Sequence, residues 1–221
     1  MSAAFLHALQ LASPGLPVGA YAYSQGLEWA VEAGWVSTEG QLKTWLEAQL
    51  SVAIAGVDVP LYARLHRAVA DADATAFSDL NALLLAHRET SELRADDTDR
   101  GGALLRLLRD LKLPIALAAG QRELSFAAAF ALAAAAFELP LSMAVEAYVW
   151  SWLEGQVLAG VKLVPLGQVA GQRLLLALAA QIPAAVSRGL ALDEEEIGGA
   201  LPALALASAL HETQYTRLFR S

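Results

Sequence analysis

Leu42, Trp45, Leu46, Gln49, Leu50, Ala53, Ile54 and Val57 follow one another in steps of three and four, and no stretch of the chain alternates convincingly with period two. Steps of three and four draw one stripe along an α-helix, whereas a half-buried strand needs period two. The pattern predicts an all-α fold without a sheet. Thr38 followed by Gln41 has the spacing of a capping box, an N-terminal device worth about 1 kcal/mol. Gly56 is the expected stop. Asp58 and Pro60 are expected to open a helix toward Ala70, and Asp73 a longer one to about Arg94. Ala95-Asp96-Asp97-Thr98-Asp99-Arg100-Gly101-Gly102 reads as a break, after which Leu104, Leu105, Leu107, Leu108 and Leu111 resume the stripe until Pro114. Ser125 caps an alanine-rich helix that ends before Pro140. Pro140 suits the first turn of a helix from about Leu141 to Val161, because its missing N–H is an orphan there. Pro165 restarts a helix to about Ala180, which Pro183 limits or kinks. Asp193-Glu194-Glu195-Glu196 suits the positive N-terminus of a last helix running to about Leu210. The expectation is one domain over residues 1–221, a bundle of about ten helices with no repeat and no linker.

Hydrophobic residues make up 56% of the 221 and mean hydropathy is +0.43. The longest apolar run, Phe126 to Phe137, has twelve residues, against the roughly 20 that a bilayer span requires. No membrane span is expected, and the excess points to apolar surface left for partners. A net charge of −8 excludes a nucleic-acid binder, which needs a basic face. With no cysteine, disulfides and thiolate metal sites are excluded. Met1-Ser2-Ala3-Ala4-Phe5 leads directly into an amphipathic pattern without an export signal, so a cytoplasmic location is expected.

A catalytic site is hard to find. No glycine-rich loop precedes a lysine, so there is no phosphate cradle. Ser24, in Tyr23-Ser24-Gln25-Gly26, is not an elbow nucleophile and reads as a helix N-cap. His7, His66, His87 and His211 lack partners at ligand spacing, and His211-Glu212 is the only adjacent imidazole–carboxylate pair. Asp96-Asp97-Thr98-Asp99 could suggest a magnesium–diphosphate site, but no second acidic motif faces it. A solvated helix break is the better reading.

Three segments ask for more. Leu16-Pro17-Val18-Gly19 begins a shaped loop that continues through Tyr21 and Tyr23 to Ser24-Gln25-Gly26-Leu27-Glu28-Trp29. Lys162-Leu163-Val164-Pro165-Leu166-Gly167-Gln168 is followed by Gly171. Gly167 and Gly171 lie four apart and would let another helix come close, in the core or between subunits. Tyr215-Thr216-Arg217-Leu218-Phe219-Arg220-Ser221 ends the chain with the composition of a binding hot spot. The alternative is a tail folded back on its own domain.

Together with Ser91-Glu92-Leu93-Arg94, these segments closely resemble the UreF family of urease accessory proteins, in the right order over essentially the whole chain. The chain has Ala22 and Thr216 where the family often has serine. Thr216 keeps the hydroxyl and Ala22 does not. The loop around Asp96 also departs from a glutamate-rich version. The resemblance implies an all-α homodimer that is not an enzyme. It would bind UreD (also called UreH), recruit the nickel-carrying GTPase UreG, dock on apo-urease and promote nickel insertion. It also implies that partners handle nickel and GTP, with no cofactor bound by this chain.

By motif position, residues 211–221 form a docking tail, with Tyr215, Arg217, Leu218, Phe219 and Arg220 toward UreD. Glu28, Lys162, Ser24 and Gln25 are candidates for a UreG-facing surface. Pro17, Gly19, Pro165, Gly167 and Gly171 are structural. One alternative is an activator of the GTPase that supplies Arg217 or Arg220 as an arginine finger. Another is a helical regulatory dimer unrelated to nickel.

Overall fold

The computed structural model describes residues 2–118 and 121–220. Among them there is no strand, and the chain is all-α. Helix α1 (Ala3–Ala12) is capped by Ser2, and the short α2 (Leu27–Glu32) lies inside what the sequence offered as a loop. Helix α3 (Glu39–Gln49) starts at the expected cap. The Gln41 backbone N–H donates to Thr38 Oγ1 at 3.2 Å, while Gln41 Oε1 reaches back to the backbone N–H of Ser37 at 3.0 Å.

Gly56 is not a stop. The helix continues through a π-helical segment, Leu50–Asp58, directly into α4 (Val59–Ala70). Pro60 in the first turn of α4 would cost an α-helix interior one backbone bond and a clash, and the wider π turn ahead of it accommodates the ring. Gly56 instead admits another strand of chain: the Gly198 backbone N–H donates to its carbonyl at 3.1 Å.

Helix α5 (Ala74–Ala86), capped by Asp73, ends earlier than expected, and Thr90 caps a new helix, α6 (Ser91–Asp110). The expected break at residues 95–102 is therefore corrected: it is the middle of α6. Helix α7 (Phe126–Ala136) is capped by Ser125 and is buried along nearly its whole length between α4, α6 and α8 (Leu141–Leu163). Tyr62, Phe126, Phe130 and Tyr148 stack at this centre, with the Tyr62 and Tyr148 rings 5.1 Å apart. Helix α9 (Gln168–Ala179) ends about where expected, and Pro183, which limits it, also falls in the first turn of the next helix, α10 (Ile182–Leu190). The acidic run caps a single 3-10 turn, Glu194–Glu196, and the last helix, α11 (Pro202–His211), begins later.

Residues Gln168–Leu190 form the one described stretch long and apolar enough to cross a bilayer, with 23 residues and hydropathy 1.4. One third of that window is buried inside the protein. Its inward residues Leu174, Leu175, Leu178, Ile182 and Val186 belong to the core.

Candidate functional site: the tail and its cradle

The loop between α1 and α2 ends in a tight turn with two left-handed residues, Gln25 (φ 54°) and Gly26 (φ 78°). Glycine is needed at the second. Besides its φ, a Cβ there would stand 2.8 Å from the Ser208 backbone nitrogen, where α11 crosses. The Glu28 backbone N–H donates to Ser24 Oγ at 3.2 Å, which fixes the first turn of α2. The result is a glutamate aimed inward: Glu28 is 7% exposed.

A carboxylate cannot be buried without partners. Those of Glu28 come from the other end of the chain. The Leu218 backbone N–H donates to its Oε1 at 2.6 Å, and the Phe219 backbone N–H to its Oε2 at 2.8 Å. His211, fully buried at the end of α11, places Nε2 3.2 Å from Glu28 Oε2 and Nδ1 2.7 Å from Glu92 Oε2. Arg217 Nη1 completes the set by donating to Glu92 Oε1 at 2.9 Å. Ionised carboxylates only accept. Two hydrogen bonds from one imidazole therefore require a proton on both ring nitrogens or one on a carboxyl group. Either way the cluster of two glutamates, one histidine and Arg217 approaches neutrality only with the tail in place.

The tail is held at two further points. Phe219, 6% exposed, is buried as one wall of an apolar cavity of about 100 Å³ that Leu16, Val18 and Ala159 also line, with Lys162 Nζ 5.8 Å from its ring centre. Burying such a ring contributes about 1.5–3 kcal/mol. The Arg220 backbone N–H donates to the Ala22 carbonyl at 2.7 Å. Tyr23 donates to Asp99 Oδ2 at 2.7 Å. Burial first, then that carboxylate, pushes its phenol up to about 12, against a hydrogen bond with Arg220 that lowers it. Tyr215, Leu218 and Tyr21 point outward, at 102%, 68% and 75% exposed.

Residues from each of the segments that carried the resemblance thus meet at one site. The sequence model of the UreF family matches residues 36–179, about two thirds of the chain. A urease accessory protein UreF from Alkalilimnicola ehrlichii is 54% identical over 213 residues, covering 96% of this chain and 93% of its own. The chain belongs to the UreF family. Similar UreF proteins occur in Pseudomonas putida, 51% identical with 99% of this chain and 98% of the relative covered, and in Alcanivorax borkumensis, 44% identical with 100% and 99% covered.

The expected site residues of this UreF chain separate into inner and outer sets. Ser24 and Glu28 are interior. Gln25 is half-buried and spans a gap, with Nε2 donating to Asp96 Oδ2 at 2.7 Å and Oε1 accepting from Trp152 Nε1 at 3.1 Å. Lys162 is exposed. Pro17 and Pro165 lie on exposed turns, and Gly19 takes a left-handed φ of 76°. Gly171 is the close approach of α9 to Val161 on α8, within this chain, while Gly167 has open space around it. The adjacent pair His211-Glu212 does not form: the imidazole turns inward, and Glu212 accepts from Ser91 Oγ at 2.6 Å on the surface. Sequence reasoning gave no role to Glu92, Tyr23 or Asp99, and placed His211 only at the start of the docking tail. The one usable signal was Ser91-Glu92-Leu93-Arg94, a matched segment whose Glu92 had been assigned nothing.

The acidic stretch Asp96–Asp99 is neither a diphosphate site nor a solvated break. Asp97 Oδ1 accepts the Phe126 backbone N–H at 2.7 Å, and its Oδ2 accepts from Arg88 Nε at 2.7 Å. Arg88 also grips Asp58 with both terminal nitrogens, at 2.7 and 3.1 Å, and Tyr148 donates to Asp58 at 2.7 Å. Asp96 is 1% exposed, and burial drives its carboxyl above the usual range against the pull of Arg100. Gly101 lets α6 pass, since an added Cβ would overlap the Leu124 carbonyl oxygen. Among the described residues no three His, Asp or Glu side chains converge as metal ligands.

Proposed function

We propose that this chain is a cytoplasmic scaffold of urease maturation. As a homodimer, with UreD/UreH and the GTPase UreG, it assembles on apo-urease and promotes nickel insertion, while the partners handle nickel and GTP. It acts by organising the complex and is not itself a catalyst. The observation that supports this reading is the anchored tail. Glu28 and Phe219 hold its backbone, so that Tyr215 and Leu218 are presented outward in a fixed geometry. Exposed aromatic and aliphatic side chains on an ordered backbone lose little conformational entropy on binding, which is what an interface anchor requires.

The test is co-purification with UreD and UreG. It compares the full-length chain, a chain ending at Gln214, and a Tyr215→Ala/Leu218→Ala variant that keeps the internal anchors. The reading expects the complex from the full-length chain, its loss on truncation, and weakening by at least tenfold in the double variant, about 1.4 kcal/mol. If the full-length chain recovers neither partner, the scaffold reading is wrong. If the truncated chain recovers both, the docking surface lies elsewhere than the tail.

A further inference from the structure

Beside the tail lies an open cleft of about 830 Å³. It is bounded by the Pro17–Tyr23 loop, the α6 wall from Thr98 to Arg106, and Leu218–Arg220. Three cations line it: Arg106 from α6, Lys162 from the end of α8 and Arg220 from the tail. All three are exposed, and among the described residues none of them enters an ion pair. One carboxylate, Asp99, stands on the same wall; accepting the Tyr23 hydroxyl does not cancel its charge, so cations outnumber anions three to one in the lining. The chain as a whole carries −8, so this excess of cations in one cleft is opposite in sign to the net charge. A cleft with an excess of one sign focuses the field and attracts the opposite charge.

The construction of the wall selects among anions. Phosphate sites gather backbone N–H groups at a helix start. Here the wall is formed by middle turns of α6, whose amides are committed to the helix. The cations are spread around a wide opening, with the exposed Tyr21 and Leu218 beside them. Separated cations with apolar surface between them suit a peptide that carries several carboxylates.

We infer that this cleft receives an acidic segment of a partner protein, its carboxylates met by Arg106, Lys162 and Arg220 and its apolar side chains by Leu218 and Tyr21. The inference rests on reading this end of the molecule as partner-facing. Its test needs no partner, so the two can fail separately. Arg106 is a residue that the family resemblance left without a role.

Fluorescein-labelled hexaglutamate is titrated with the full-length chain, followed by anisotropy at low and at physiological salt. The expected result is saturable binding that salt weakens. Arg106→Glu/Lys162→Glu should weaken it by about tenfold or more, and Arg67→Glu, on the exposed side of α4, should leave it unchanged. Circular dichroism checks that each variant is folded. Absence of saturable binding, or equal weakening by Arg67→Glu, overturns the inference. So does displacement of the peptide by inorganic phosphate as effective as by unlabelled hexaglutamate. If hexaglutamate binds as expected but UreD and UreG do not co-purify, the scaffold reading falls and the cleft stands.

Discussion

Glu28 holds Phe219 from 191 positions away, accepting its backbone N–H on a carboxylate that is 7% exposed. The same side chain takes Leu218 N–H and faces His211, so one residue on α2 closes the N-terminal region, α11 and the tail against one another.

Glu28→Ala therefore orphans two backbone donors and one ring nitrogen. Each buried group left unpaired costs about 1–3 kcal/mol. The expected outcome is a clear loss of stability in chemical denaturation, with amide exchange at Leu218 and Phe219 accelerated well beyond that of the α7 core. Unchanged exchange at those two amides would show that the carboxylate does not anchor the tail.

Arg88→Met addresses the second buried cluster. It strands Asp58 and Asp97, which are bonded to the guanidinium at 2.7 Å each. Removing one partner of a buried pair costs about 3–5 kcal/mol, so this variant should be the least stable of the set. A denaturation midpoint equal to that of the parent chain would contradict the arrangement.

Gly101→Ala tests the α6–α7 crossing. The added Cβ meets backbone, at Leu124 and Ser125, which cannot swing away as a side chain could. A loss of about 1–3 kcal/mol is expected. Gly102→Ala, one position on, meets only the Arg106 side chain and should be neutral or slightly stabilising, since alanine favours helix.

Alkaline titration has a definite sign. Tyr23, Tyr62 and Tyr148 are three of the five tyrosines, and burial raises all of them, Tyr23 to about 12. A phenol raised in the fold is favoured there as the neutral form. Its contribution is complete below the ordinary value of 10 and is lost as pH climbs toward the folded value. Stability should fall between pH 10 and 12, and tyrosinate absorbance should show a late-titrating fraction that shrinks by one tyrosine in Tyr23→Phe, while Tyr62 and Tyr148 keep the rest. A single transition for all tyrosines at the ordinary value would refute this.

Much of the fold was legible because its signals are local. The caps at Thr38 and Ser125 lie where expected, Pro140 immediately precedes α8, and Pro165 lies on the turn three residues before α9; all of these act through near neighbours. The site was legible only as four matched segments, with no indication of which side chains face inward.

The sequence by itself determined the helical class, most of the helix starts and membership of the UreF family, because spacing, capping and motif order need no knowledge of distant contacts. Tertiary structure alone decided the fate of the charged residues. Asp96 and Asp97 read as a solvated break because five consecutive polar residues precede two glycines. They lie inside a helix because Arg88, Arg100 and Gln25 neutralise or bond them, the last from 71 positions away. Glu28 was a candidate for a partner-facing surface by motif position and is an interior anchor. Whether a charge is buried depends on partners that only the folded chain brings within reach, and local spacing carries no record of them.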